Sequence, residues 1–146
     1  GLEKDQLTGA VSYDADNHEA MVRTRAAKVA GIAREIPPSQ VHGDPEGDLL
    51  VVGWGGTHGA IHQAVEKLRA RGKRVSSLHL RYLNPLPPDL GTILKRFKKV
   101  VVPELNLGQL VKVLRAAYLV DAQSITKVQG KPFKVSELVA AFEEHV

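Results

Sequence analysis

The chain has 146 residues, 43% of them apolar and 25% charged, the size and balance of one globular domain with room for a core. It has no cysteine, which excludes disulfides, thiolate metal sites and cysteine-held iron–sulfur clusters, and no apolar run approaches the ~18 residues of a membrane span. The net charge of +4 invites a nucleic-acid reading, but one tryptophan, three tyrosines and three phenylalanines give no aromatic interleaving for base stacking.

No signal peptide leads the chain, and a cytoplasmic setting is expected. It begins at Gly1 without methionine and is expected to be a piece of something larger, or a processed or trimmed product. Residues 1–15 are polar and glycine-punctuated and read as an extended arm. Asp16 and Glu19 have the spacing of an Asp-type capping box. The helix after them carries Val22, Ala26, Val29, Ile32 and Ile36 on one stripe, until Pro37-Pro38 ends it. Gly43-Asp44-Pro45-Glu46-Gly47-Asp48 is a turn cluster. The expected division is an arm plus helix over 1–40 and an α/β domain over 41–146.

Strands and helices then alternate. Leu49–Val52 reads as a strand, 58–71 as a helix stopped by Gly72, and Val75–Leu80 as a second strand. Pro85, Pro87 and Pro88 make a rigid connection, and Asp89 falls in the first turn of a helix carrying Leu90, Ile93, Leu94 and Phe97. Val100–Val102 is an uninterrupted apolar strand, expected to be buried on both faces. A helix from Gly108 to about Leu119 turns Leu110, Val111, Leu114, Ala117 and Tyr118 inward. Ser124–Val128 is a fourth strand, and 135–144 a last helix with Leu138, Val139 and Phe142 inward. This alternation predicts a three-layer α/β/α fold around a mainly parallel sheet of four to five strands, with core order 2-1-3-4. The topological switch lies between the first and third strands, where such sheets meet ligands or partners.

Three segments reach that carboxyl edge. They supply the candidate ligand or interface residues Gly53, Trp54, Gly55, Gly56, Thr57 and His58; His79, Arg81, Tyr82 and Asn84; and Glu104, Asn106, Gly108 and Gln109. The glycine loop is no dinucleotide fingerprint, because His58 stands where its last glycine belongs and no acidic residue ends the second strand. It is no P-loop either, since no Gly-Lys-Ser/Thr follows. Its glycines are read as the turn from strand into helix. His58, His62 and Glu66 share a helix face at spacings of four, but a third ligand and a second shell are not visible and no metal site is assigned. Glu104 and Asn106 are expected to cap the helix that follows them and to satisfy loop backbone. Arg81 is expected to pair with Glu104 rather than to clamp an anion. The basic groups Arg69, Arg71, Lys73, Arg74 and Lys95, Arg96, Lys98, Lys99 fall where helices end and are explained by the helix dipole. No catalytic residue can be named.

Several stretches carry a family resemblance: Gly1-Leu2-Glu3 through Gly9, Asn17-His18 with Met21, Gly53-Trp54-Gly55, His79-Leu80-Arg81-Tyr82-Leu83-Asn84-Pro85-Leu86-Pro87, and Pro103-Glu104-Leu105-Asn106-Leu107-Gly108-Gln109-Leu110. With them the chain resembles, essentially end to end, the C-terminal domain of the α subunit of 2-oxoacid:ferredoxin oxidoreductases of the 2-oxoglutarate type. It departs from that pattern at Lys4, Gln6, Gly56 and His58. The resemblance implies a fold like the transketolase C-terminal domain. It also implies a parent enzyme that oxidatively decarboxylates a 2-oxoacid with thiamine diphosphate, magnesium, coenzyme A and an iron–sulfur cluster, none of them held by this chain. Its partners would be the rest of the α subunit, a β subunit and, through the complex, ferredoxin, with no nucleic acid or membrane involved.

The leading expectation is therefore a structural and subunit-interaction domain without catalysis of its own. An alternative is a stand-alone anion- or nucleotide-binding module using the Gly53–Gly59 loop. The equivalent domain of a transketolase or of a 2-oxoacid dehydrogenase β subunit is a third, and the His79–Pro87 motif speaks against it.

Overall fold

A computed structural model describes all residues, 1–146. It divides into two compact units, Gly1–Pro37 with Tyr82–Pro88, and Pro38–Arg81 with Asp89–Val146.

In the first unit, two short antiparallel strands, β1 (Glu3–Lys4) and β2 (Val11–Ser12), precede helix α1 (Ala15–Gly31). The arm is thus a hairpin rather than merely extended. Its turn is built by Asp5, whose Oδ1 accepts from the Leu7 and Thr8 amides and from the Thr8 hydroxyl. Asn17 pins the hairpin to the helix, donating from Nδ2 to the Lys4 carbonyl at 2.9 Å and accepting from the Gln6 amide at 3.3 Å. Lys4 and Gln6, two of the departures from the family pattern, serve here through their backbone, which any side chain leaves available. Arg25 reaches Glu3 at 2.6 Å and pulls its carboxyl down to about 2. The helix cap is Asp14, not the expected Asp16: its Oδ1 accepts the Asn17 amide at 2.7 Å, while Glu19 is turned outward to Arg23. A 3-10 turn over Ile32–Glu35 follows α1. Tyr82–Pro88 includes a cis Asn84–Pro85 bond.

The second unit is the predicted three-layer domain. Its elements are β3 (Val41–His42), β4 (Gly47–Trp54), α2 (His58–Ala70), β5 (Val75–Leu80), α3 (Leu90–Leu94), β6 (Phe97–Glu104), α4 (Leu110–Tyr118), β7 (Ala122–Thr126) and α5 (Val135–Glu143). Sheet order is β3-β5-β4-β6-β7, with β3 antiparallel and the rest parallel. The four parallel strands stand in the expected order 2-1-3-4, and β3 is an added edge strand. Leu49, Val51, Val75 and Val101 pack beneath α2 and α5 with Ile61, Val65, Leu68, Leu138 and Phe142. Leu50, Val52, Val100 and Val102 alternate to the opposite face, the side of α3 and α4.

Several boundaries differ from expectation. Phe97 opens β6 instead of closing a helix, because α3 is only five residues long. The fourth strand lies two residues earlier than expected, and Ala117 faces solvent. Asp89 precedes α3 and binds Ser39, accepting from its amide and its hydroxyl, each at 2.7 Å.

Gly91 lies in α3 where a Cβ would meet Tyr118 Cδ1 at 2.6 Å. Gly91→Ala is expected to lower stability by about 1–3 kcal/mol, because the Tyr118 ring must be displaced to make room. Urea denaturation measures this, and an unchanged midpoint would show that the ring moves freely.

Candidate functional site

At the carboxyl edge of the sheet, β4 ends in Trp54 and the chain turns through Gly55–Thr57 into α2. Gly55 takes φ +56°, open to glycine without strain. The Thr57 hydroxyl closes the turn, donating to the Trp54 carbonyl at 2.8 Å and accepting the Trp54 amide at 3.2 Å. Gly53 is buried, and a Cβ on it would meet Ile61 Cδ1 at 2.5 Å and Thr57 Oγ1 at 3.1 Å. The glycine is what lets α2 close on β4.

Glu104, the last residue of β6, is fully buried. Its carboxylate accepts from the Leu110 amide at 2.8 Å, the Val111 amide at 3.1 Å, Asn106 Nδ2 at 3.2 Å and Trp54 Nε1 at 3.4 Å. Asn106 Oδ1 in turn accepts the Gly108 and Gln109 amides at 2.8 and 3.0 Å. Gly108 holds φ +79° beside Ser124. Glu104 and Asn106 thus satisfy the free N–H groups at the start of α4, as expected from the sequence.

The expected Arg81–Glu104 ion pair does not form. The Glu104 carboxylate is directed inside, against the amides of α4, and Arg81 is exposed and free of any acidic partner. Tyr82 and Asn84 belong to the first unit, where both are exposed. Gln109 is exposed and contributes through its backbone, its amide donating to Asn106 and its carbonyl accepting from the Val113 amide.

His58 and His79 do meet, with ring centroids 4.8 Å apart. The His58 and His62 rings stack at 5.9 Å, and His62 lies 4.5 Å from His42. Glu66 pairs with His42 Nε2 at 2.8 Å rather than standing beside the other two histidines as a ligand. Nothing in the sequence flagged His42, because its two-residue strand carries no periodic signal. No three His, Asp or Glu side chains converge as a metal-holding group. Burial, then the neighbouring His58 and Arg81, push the His79 imidazole below its ordinary range.

Two outcomes follow. Glu104→Ala leaves amides of α4 unpaired in the interior and is expected to cost about 3 kcal/mol, with Glu104→Gln intermediate, both read by chemical denaturation. A loss under about 1 kcal/mol in the alanine variant would mean that water replaces the carboxylate. For His79, a folded-state affinity for protons below the unfolded one means that the unfolded chain binds more protons as pH falls. Its contribution is therefore lost on acidification through the ordinary histidine range, and His79→Gln should flatten the stability profile between about pH 7.5 and 5.5. An unchanged slope would assign that region to other groups.

Residues 47–138, more than half of the chain, match the family model of pyruvate:ferredoxin oxidoreductase core domain II. The chain is 51% identical, over 140 residues, to the 2-oxoglutarate oxidoreductase subunit KorA of Mycobacterium tuberculosis, covering 94% of this chain and 21% of that one. It superposes with a TM-score of 0.87 and 33% identity on a 2-oxoglutarate:ferredoxin oxidoreductase from Magnetococcus marinus, solved with 2-oxoglutarate, coenzyme A and succinyl-CoA bound, over 94% of this chain and 25% of that one. A split-gene transketolase superposes at a TM-score of 0.58 and 19% identity, over 74% of this chain and 40% of that one, a likeness of fold alone. The chain thus spans about a fifth to a quarter of the length of the 2-oxoacid oxidoreductase relatives. On these grounds it belongs to the pyruvate:ferredoxin oxidoreductase core domain II family, as a domain of the kind found in the α subunits of 2-oxoacid:ferredoxin oxidoreductases.

Proposed function

We propose that the chain is a structural and subunit-contacting domain of a thiamine diphosphate-dependent, cytoplasmic 2-oxoacid:ferredoxin oxidoreductase that converts a 2-oxoacid, with 2-oxoglutarate favoured, to its acyl-coenzyme A. In this reading residues 1–40 are a contact arm and 41–146 the domain proper, and the rest of the α subunit, a β subunit and ferredoxin are the partners. The observation that carries it is the superposition over 94% of this chain on only a quarter of a 2-oxoglutarate enzyme's chain. The chain lacks the residues expected to hold two of the groups of such an enzyme, the cluster and the magnesium. It has no cysteine for a cluster, and it has neither a convergent acidic group nor a Gly-Asp-Gly segment for the magnesium of a diphosphate. Those groups are assigned to the remainder of the enzyme.

The first unit supports the contact role. No residue of α1 is buried, and Leu7 and Tyr13 are 89% and 81% exposed. Apolar side chains displayed on a hairpin and a one-layer helix are the material of an interface.

The isolated chain is expected to show no 2-oxoglutarate-dependent reduction of a viologen dye when supplied with coenzyme A, thiamine diphosphate and magnesium. Turnover would overturn the reading. In the full-length α subunit, Leu7→Ser with Tyr13→Ser should weaken association with β in size-exclusion chromatography or lower the melting temperature of the α subunit. If both stay at wild-type values, the arm is no contact surface.

A further inference from the structure

Four of the six histidines form a continuous row on the α2 side of the second unit, running His42, His62, His58, His79 with centroid spacings of 4.5, 5.9 and 4.8 Å. Its two ends are built differently. At the β3 end the chain supplies the counter-charge, Glu66 against His42 at 2.8 Å, with Arg69 also acting on that carboxylate. At the carboxyl-edge end it supplies none. His58, His79 and Arg81 make no ion pair and no side-chain hydrogen bond; the His58 and His79 rings meet at 4.8 Å, and Arg81 follows His79 by two residues at the end of β5. The acid of that edge, Glu104, is buried and engaged by four donors. From β4 and its turn, Gly53, Trp54, Gly55 and Gly56 bring no charge.

Space is available as well. Positions where a Cβ would stand on Gly55, Gly56 and Gly59 have no heavy atom within 4 Å, so the turn beside His58 is open. An arginine fork and two imidazole donors, uncompensated at the edge where parallel α/β sheets meet ligands, have the chemistry of an anion receptor.

We propose that His58, His79 and Arg81 form a binding site for a small anionic group, a phosphate or a carboxylate, that strengthens as the pH falls. The site lies wholly on this chain, so it stands independently of the enzyme assignment, and its failure would leave that assignment intact. Arg81 supplies permanent charge and a bidentate fork. The two imidazoles add charge when protonated. Burial first, then His58 and Arg81, disfavour the charged His79 imidazole, and a bound anion opposes them by favouring that charged form. Binding and proton uptake are therefore linked, each favouring the other.

The test is NMR titration of the chain with inorganic phosphate and, separately, with glutarate, at constant ionic strength and at pH 6.0 and 7.5. Saturable shifts are expected at the His58 and His79 imidazoles and the 55–59 amides, with affinity about fivefold or more higher at pH 6.0. The tighter of the two ligands identifies the anion class. Arg81→Ala and His58→Gln, both at exposed positions, should each weaken binding about tenfold while the amide spectrum elsewhere is retained. Lys112→Ala, which removes one exposed charge from α4, should leave it unchanged. Shifts that never saturate, an affinity indifferent to pH, or an equal loss in Lys112→Ala would overturn the site in favour of diffuse attraction by a basic protein.

Discussion

One carboxylate ties the carboxyl edge of this fold together. Glu104 terminates β6, caps α4 through two amides and reaches Trp54 at the end of β4, so three segments are referred to a single buried group. Desolvating a carboxylate costs several kcal/mol, and here that cost is offset by four donors, two of them at a helix N-terminus where the dipole favours negative charge. Gly108 depends on the same arrangement, since its positive φ lets the loop fold back so that Asn106 can reach its amide. The β4/β6 junction is the topological switch of the sheet, the place where α/β folds commonly admit ligands. In this domain a structural acid fills it.

The order of the parallel strands could be read from the sequence because apolar runs and amphipathic helices alternate at regular spacing, and that pattern admits few topologies. The cap on α4 was legible too, since an acid and an asparagine just before a helix have few better uses. Other features had no local signal. Val41–His42 is a two-residue edge strand whose existence depends on pairing with Ser77 and Leu78. Lys98 and Lys99, the second and third residues of β6, are exposed, so the strand's start is hidden by its charges. Asp14 and Asp16 both satisfy cap chemistry, and the hairpin's hold on Asn17 favours the earlier one. The Arg81–Glu104 pairing failed because sequence proximity to an edge does not reveal whether a side chain points in or out. The histidine row was half visible, as the i, i+4 pair His58 and His62; its ends come from β3 and β5, brought together only by sheet order.

The two ends of the sheet handle charge in opposite ways. At the amino edge, the basic clusters that give the chain its net charge are partly answered: Arg69 by Asp44 at 3.0 Å, Arg71 by Glu143 at 2.6 Å, Lys98 by Asp48 at 2.7 Å. These pairs lie at or near the surface and are individually worth little, but they neutralise it locally. At the carboxyl edge the available acid has been drawn into the interior to hold α4, and the basic groups outside it stand alone. The carboxyl edge thus has two features, a rigid switch point and uncompensated basic groups. The two go together, since the Glu104 carboxylate is engaged by the helix amides and Arg81 has no acidic partner.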